Sequence, residues 1–179
     1  MYCYRITKYN PKFRDHTGAY KKDDWISFSD IGKSFENKVL SAEGYLNTEE
    51  AYIEAISLFM DESRINALKV ILLSKHKEPN KNDVWYSSSL LETYQSVSDD
   101  TMIEKPVALH VARLDLREYI WCKLESEKMF VHFGYDYYMY IGSAKKPIHI
   151  IPQIEALGLF VEKIDESPYM QTAYDEVSE

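Results

Sequence analysis

The chain has 179 residues, a formal net charge of −8 at pH 7, 45% hydrophobic residues and 28% charged residues. This length suits one domain with a sizeable core, and the composition is that of a soluble globular protein. No apolar run approaches the roughly 20 residues needed to cross a bilayer, and the chain start lacks the features of a secretion signal, so we expect a cytoplasmic protein without a membrane partner.

The charge is distributed unevenly along the chain. Residues 1–40 carry eight Lys and Arg against five Asp and Glu, whereas residues 41–179 carry thirteen against twenty-four, a net charge of −11. A protein that neutralises phosphates needs a basic face, so the acidic bulk argues against nucleic acid as the main ligand. It is compatible with a basic protein partner.

The N-terminal quarter is predicted to hold one strand and an irregular segment. Residues 2–7 form a β-friendly run that Asn10-Pro11 ends. Residues 25–28 are predicted to be extended and to precede a single helical turn over residues 30–35, capped by Ser29. A loop pinned by Trp25 and Phe28 is the alternative.

The middle of the chain shows helical periodicity. Thr48 is a plausible N-cap, and apolar pairs that recur every four residues from Ala51 to Met60 predict a helix with a buried stripe. The apolar, β-branched run Leu68–Leu73 predicts a central strand. Residues 84–86 are predicted to be an extended fragment that leads into a helix ending near Val97.

Two further elements are predicted after residue 100. Pro106 opens the apolar run Val107–Val111, which we interpret as a strand. Asp115-Leu-Arg-Glu118 has the form of a capping box and predicts a helix over residues 116–124. A strand remains an alternative there, because apolar residues also alternate through this segment.

Six of the eleven residues from Phe130 to Tyr140 are aromatic, which favours a pleated sheet surface. Gly134-Tyr135-Asp136 is expected to turn the chain between strands Met129–Phe133 and Tyr137–Ile141. A short helix from Pro152 to Leu157, capped by Gly158, and a strand over Leu159–Glu162 are predicted next, and the tail after about residue 168 is expected to be partly disordered. The fold class predicted is α+β, a single domain over residues 1–179 with a largely antiparallel sheet and packed helices.

The sequence contains little that points to catalysis, and no cofactor is expected. Its five histidines have no helical ligand spacing, so no metal site is predicted, and Cys3 and Cys122 are expected to be buried, reduced thiols. No nucleophile elbow, Walker loop or dinucleotide fingerprint occurs. An acid/base site could be assembled from His132 and Asp136 with His110 or His149.

The aromatic segment also carries candidate partner-binding residues. Side chains alternate along a strand, so its tyrosines cannot all face one side. Packing beneath helices is one interpretation. The other is an acidic-aromatic surface, since tyrosine is favoured at interface centres. The candidates for that surface are Glu125, Glu127, Tyr135, Asp136 and Tyr138.

Four segments resemble those of a family of small uncharacterised bacterial proteins: Tyr4–Arg14, Trp25–Gly32, Leu116–Leu124 and His132–Ile141. The similarity extends over most of the chain. In general character the chain also resembles, more loosely, the immunity proteins of bacterial polymorphic toxins, including those of contact-dependent growth inhibition. That resemblance implies a cytoplasmic, acidic binding protein. It carries over no site residues.

We therefore expect a non-enzymatic immunity protein that binds and neutralises a cognate toxin domain, a nuclease with a basic substrate cleft. One alternative is a small-ligand-binding or hydrolytic domain that uses His132 and Asp136. A housekeeping interaction module without a toxin partner is the other.

Overall fold

A seven-stranded antiparallel sheet is the centre of the fold in the computed structural model, which describes residues 1–83 and 85–170. The described residues form nine strands, which in chain order are β1 Tyr2–Thr7, β2 Ser34–Phe35, β3 Lys38–Val39, β4 Ala67–Lys75, β5 Met102–Glu104, β6 Ile120–Glu125, β7 Met129–Phe133, β8 Met139–Ser143 and β9 Phe160–Ile164. β2 and β3 form a separate ribbon, and the other strands follow the order β5-β4-β6-β7-β8-β1-β9. The helices are α1 Ala42–Ser63, α2 Ser88–Ser96, α3 Lys105–Leu116 and α4 Ile151–Ala156. The predicted α+β single domain is confirmed.

One face of the sheet is apolar and packs beneath α1 and α3. The strand register aligns five buried side chains in a continuous row across β4, β6, β7, β8 and β1: Val70, Leu124, Val131, Ile141 and Tyr4. Tyr4 lies against Phe59 of α1, with ring centroids 6.1 Å apart. Burial of this row and of the helix stripes above it provides the main hydrophobic stabilisation of the fold.

The opposite face of the sheet has a row of polar side chains, one residue along the strands from the apolar row. Because successive side chains point to opposite faces, the neighbouring row contains titratable groups. Its members are Lys123, His132, Tyr140, Arg5 and Glu162. The segment Ser167–Tyr169, here called the strap, crosses this row: Ser167 Oγ lies 2.9 Å from His132 Nδ1, and Lys123 Nζ donates to the carbonyl of Tyr169.

Several predicted elements are confirmed by the structure. β1 and β7 have the predicted bounds, and α2 and α4 occupy the predicted segments, with Gly158 in the left-handed conformation after α4. β8 and β9 lie where aromatic and apolar runs placed them, shifted by one or two residues. The helical turn predicted over residues 30–35 with Ser29 as its cap was wrong, because the turn spans Phe28–Asp30 with Ser27 as its N-cap and residues 34–35 lie in β2. Trp25 and Phe28 are both buried, as the alternative of a pinned loop had it.

The start of α1 was predicted wrongly. The helix begins at Ala42 with Ser41 as its N-cap, and Ser41 Oγ accepts a hydrogen bond from the amide of Gly44. Thr48 lies inside the helix, where its hydroxyl donates to the carbonyl of Gly44. The physical reason is that the buried stripe extends back to Tyr45, which is fully buried, so the first two turns are stabilised by packing.

The two elements predicted after residue 100 were also wrong. Residues 107–111 lie in α3, with Pro106 in its first turn, where proline is tolerated. Residues 120–124 lie in β6, as the strand alternative had it, because Asp115 accepts a hydrogen bond from the amide of Cys122 and caps no helix. β4, predicted as a central strand, is paired on both sides, with β5 and β6, and is second from the edge of the sheet.

The remaining expectations concern the loops, the thiols and the tail. Trp85 and Tyr86 do not form a strand, and Val84 lies outside the described residues. Cys3 and Cys122 are buried and free, as predicted. The predicted disordered tail falls largely on residues 171–179, which also lie outside the described residues. Within the described ranges, no helix is long and apolar enough to cross a membrane.

A buried ion cluster joins α1 to the end of α3. Glu49 is fully buried, and its two carboxylate oxygens accept 2.7 Å hydrogen bonds from Nε and Nη2 of Arg117. Arg113 Nη1 donates a third bond of 2.7 Å to Glu49, and Arg117 Nη1 donates to the carbonyl of Trp85 at 2.8 Å. The buried charges therefore have well-placed hydrogen-bond partners, which is the condition for an ion pair to be tolerated inside a protein.

We expect Glu49→Gln to lower the free energy of unfolding by about 3–5 kcal/mol, because it leaves the buried guanidinium of Arg117 without its counterion. Glu50→Gln is the matched control. Glu50 also binds Arg113, at 2.8 Å, but its side chain is 63% exposed, so we expect a loss below about 1 kcal/mol. Urea denaturation measures both, and equal losses in the two variants would contradict the assignment.

Candidate functional site

A groove of about 640 Å³ lies at the end of the sheet where the β7–β8 turn and the α3–β6 turn meet. Its lining includes Glu118, Trp121, Tyr135, Asp136 and Tyr169. This volume is within the range of ligand pockets in proteins. We take the groove as the candidate site because of two features at its rim, the β7–β8 turn and the α3–β6 turn.

The first feature is backbone strain in the β7–β8 turn. Asp136 has φ 58° and ψ 34°, and Tyr137 has φ 62°, so two consecutive residues other than glycine are left-handed. This conformation costs roughly 1–2 kcal/mol per residue for side chains with a Cβ. Such a turn persists only where the surrounding structure holds it.

Buried tyrosines hold the turn from below. Tyr52 Oη donates to the carbonyl of Tyr137 at 2.9 Å and accepts from the amide of Lys8 at 2.8 Å. Tyr9 Oη lies 2.8 Å from the carbonyl of Asp136. The ring of Tyr137 packs edge-on against Trp25, with centroids 4.8 Å apart. The turn is therefore rigid although its outer surface faces solvent.

The turn presents two of the predicted partner-binding residues to solvent. Tyr135 is 85% exposed, and Asp136 is exposed beside it. Tyr138, the third predicted residue here, is half-buried and held internally: its hydroxyl accepts from Arg14 at 2.8 Å, and the guanidinium carbon of Arg14 lies 5.3 Å from its ring centroid. Tyr138 therefore supports the groove wall, whereas Tyr135 and Asp136 are free to contact a partner.

The other two predicted residues lie at the opposite end of β7. Glu127 is exposed in the β6–β7 turn. Glu125 Oε1 forms a 2.9 Å hydrogen bond with His132 Nε2. This hydrogen bond lowers the pKa of Glu125. β7 has five residues, so the two groups are separated by roughly 17 Å of strand. The five residues predicted as one surface therefore form two groups.

His132 and Asp136, the pair of the hydrolytic alternative, are not brought together. The ring of His132 is fully buried, stacked 4.4 Å from Phe130, and its nitrogens face Ser167 and Glu125. No ring nitrogen is left for a substrate. In the described part of the chain, no group of three or more His, Cys, Asp or Glu side chains is placed to hold a metal ion.

The second feature of the rim is the α3–β6 turn, where Glu118 is exposed and left-handed at φ 58°. Asp115, in the wall beneath it, is buried, and burial raises its pKa well above the usual value of 3.8. The exposed carboxylates of the groove are thus Glu118 and Asp136. Among the described residues that line it there is one histidine, His76, and no Lys or Arg.

Sequence reasoning missed the groove residues that this second turn provides. Glu118 and Trp121 were placed in a helix that does not exist. Trp121 alternates with the buried Ile120 and Cys122 in β6, so the strand alternative would have predicted that its side chain faces away from the core.

Replacing Tyr52 with Phe should destabilise the turn, because the carbonyl of Tyr137 and the amide of Lys8 both lose their buried partner. We expect a loss of about 1–3 kcal/mol in unfolding free energy and faster hydrogen exchange in residues 135–138. Tyr4→Phe is the control, since Tyr4 also lies in the core, at 4% exposure, but its hydroxyl has no hydrogen-bond partner among the described residues. Unchanged exchange in the Tyr52 variant would contradict the role assigned to this hydroxyl.

Asp115 should make stability depend on pH. A carboxyl group whose pKa is raised by folding contributes stability that is present below its unfolded pKa, near 3.8, and is lost as the pH rises through its folded pKa. Asp115→Asn keeps an acceptor for the amide of Cys122, so we expect it to exceed the parent protein in stability by at least about 1 kcal/mol at pH 7 and to lose this advantage near pH 4. Thermal unfolding across this range measures the difference, with exposed Asp165→Asn as control. Parallel curves for parent and Asp115→Asn would contradict the prediction.

Comparison with protein-family models, curated proteins and solved structures finds no match. The resemblance to immunity proteins therefore stays a prediction.

Proposed function

We propose that this chain is a non-enzymatic immunity protein that binds and neutralises a cognate toxin domain, a nuclease with a basic cleft. The observation that carries the proposal is the groove: its lining joins aromatic side chains to the exposed carboxylates of Glu118 and Asp136, without Lys or Arg among its described residues. Such a surface complements a cationic protein segment and repels phosphates.

The charge of α1 supports the same proposal. The helix contains six Asp and Glu and no Lys or Arg. Glu49, Glu50, Asp61 and Glu62 are paired with cations of other elements, whereas Glu43 and Glu54 are exposed and have no ion-pair partner among the described residues. Exposed negative charge of this kind accelerates encounter with a basic partner.

The basic N-terminal segment does not offset this acidity at the surface. Six of its eight Lys and Arg side chains are engaged by carboxylates of the same chain, including Arg5 and Arg14 with Glu162 and Lys8 with Asp24. Internal pairing leaves these cations less available to bind nucleic acid. This supports a protein partner over a nucleic-acid one.

The mechanism that follows is occlusion by contact. Carboxylates at the groove rim would take the positions on the toxin that substrate phosphates use, and the exposed Tyr135 would supply apolar contact area at the centre. Because Tyr52 and Tyr9 hold the turn rigid, little conformational entropy is lost when Tyr135 and Asp136 are bound. No covalent step is required.

The test is coexpression with the product of the adjacent upstream gene. We expect that this product contains a toxin domain that kills cells unless the chain is present, and that the purified pair forms a complex. Asp136→Lys should weaken the complex at least about tenfold, because it places a like charge against a basic surface. Glu155→Lys on α4 makes the same change in net charge at an exposed site away from the groove and is the control.

Two outcomes would count against the proposal. If the neighbouring product is harmless, or is toxic whether or not the chain is present, the immunity function is wrong. If protection occurs but Asp136→Lys and Glu155→Lys bind equally well, the groove is not the interface.

A further inference from the structure

We infer that the groove is a receptor for a single arginine side chain of the partner. This inference rests on the proposed function, because it names the chemistry of the partner group that occupies the same site. It goes further by assigning Trp121, Tyr135, Glu118 and Asp136 as the residues that recognise a guanidinium.

The lining provides the two kinds of contact that a guanidinium makes. Trp121, Tyr135 and Tyr169 present aromatic rings in the groove, and cations bind favourably over such rings. Glu118 and Asp136 present carboxylates, which accept charge-assisted hydrogen bonds from planar N–H groups. A neutral or anionic side chain would leave these carboxylates desolvated and unpaired, at a cost in affinity.

The chain already binds guanidinium groups in this way next to the groove. Arg14 lies over the ring of Tyr138, donates to its hydroxyl, and reaches Glu162 at 3.3 Å. Arg5 lies 5.6 Å from the same ring centroid and binds Glu162 through two hydrogen bonds of 2.9 and 3.1 Å. The Tyr138 ring and the Glu162 carboxylate thus cooperate in holding both arginines, and the groove has the same combination with no arginine of its own among the described residues.

Arginine fits this site better than lysine for a physical reason. The guanidinium is flat, weakly hydrated and able to stack on a ring while its edge donates to carboxylates, whereas the ammonium of lysine is compact and strongly hydrated. The groove offers ring surface and carboxylates together. We therefore assign arginine as the occupant, and lysine is an outcome that the test can reveal.

The experiment uses the whole chain and three defined probes. Isothermal titration calorimetry measures binding of the peptide Ac-(Gly-Arg)₃-NH₂, of its lysine counterpart, and of its citrulline counterpart, which keeps the shape of arginine without the charge. We expect the arginine peptide to bind about tenfold more tightly than the citrulline peptide and more tightly than the lysine peptide. Equal affinity for arginine and citrulline, or tighter binding of lysine, would overturn the assignment.

Variants locate the site. Glu118→Gln and Asp136→Asn remove one charge each, and asparagine is well tolerated at left-handed φ, so the second variant keeps the turn. We expect each variant to bind the arginine peptide about tenfold more weakly than the parent protein does. Glu54→Gln and Glu155→Gln remove the same charge from exposed positions on α1 and α4 and should have little effect. Equal weakening in all four variants would mean that diffuse charge, not the groove, attracts the peptide.

The two proposals can fail separately. Suppose that the chain protects cells from the toxin, but Glu118→Gln and Asp136→Asn lower neither the affinity for the arginine peptide nor the affinity for the toxin. The arginine site is then wrong and the immunity function stands. If the arginine peptide binds the groove as expected but the adjacent product needs no neutralisation, the site stands and the immunity function is wrong.

Discussion

The buried pair Glu49–Arg117 is the interaction on which the arrangement of this molecule depends. It fixes α1 to the end of α3, and the same arginine holds the carbonyl of Trp85, so a helix, a turn and a loop meet at one guanidinium. An arginine held by Glu49 directly precedes Glu118 in the chain. The position of that groove carboxylate is thus determined by a charge pair in the interior.

The opposite rim of the groove is determined by tyrosine hydroxyls instead of ions. Tyr52 and Tyr9 approach the two carbonyls of the strained residues Asp136 and Tyr137, and aromatic contacts with Trp25 fix the ring of Tyr137. Interior polar groups therefore support both rims. Buried hydroxyls stabilise the β7–β8 turn, and the exposed charge of Asp136 lies at its surface. This arrangement is consistent with a surface that binds a partner without rearranging.

Secondary-structure elements could be predicted from the sequence where the local residue pattern and the tertiary environment favour the same structure. β1, β7 and the turn after Gly134 follow from aromatic density and alternation, so Tyr135 and Asp136 could be predicted as a turn surface. α3 and β6 could not, because Pro106 suits a strand start or a first helical turn, and Asp115 in a capping-box pattern binds a strand amide instead. Glu118 and Trp121 were missed for that reason, and the pairing of Glu49 with Arg117 joins residues 68 positions apart, beyond any local signal.

The place of β1 in the sheet has a consequence for how the protein is made. β1 lies between β8 and β9, so its strand partners among the described residues lie in residues 139–143 and 160–164. A ribosome must extend the polypeptide from residue 7 to beyond residue 139 before that pairing is available, and closing so long a loop is slow. Until then the exposed edges of β8 and of the nascent N-terminal segment are the parts of the chain most vulnerable to wrong association, and a chaperone would protect them first.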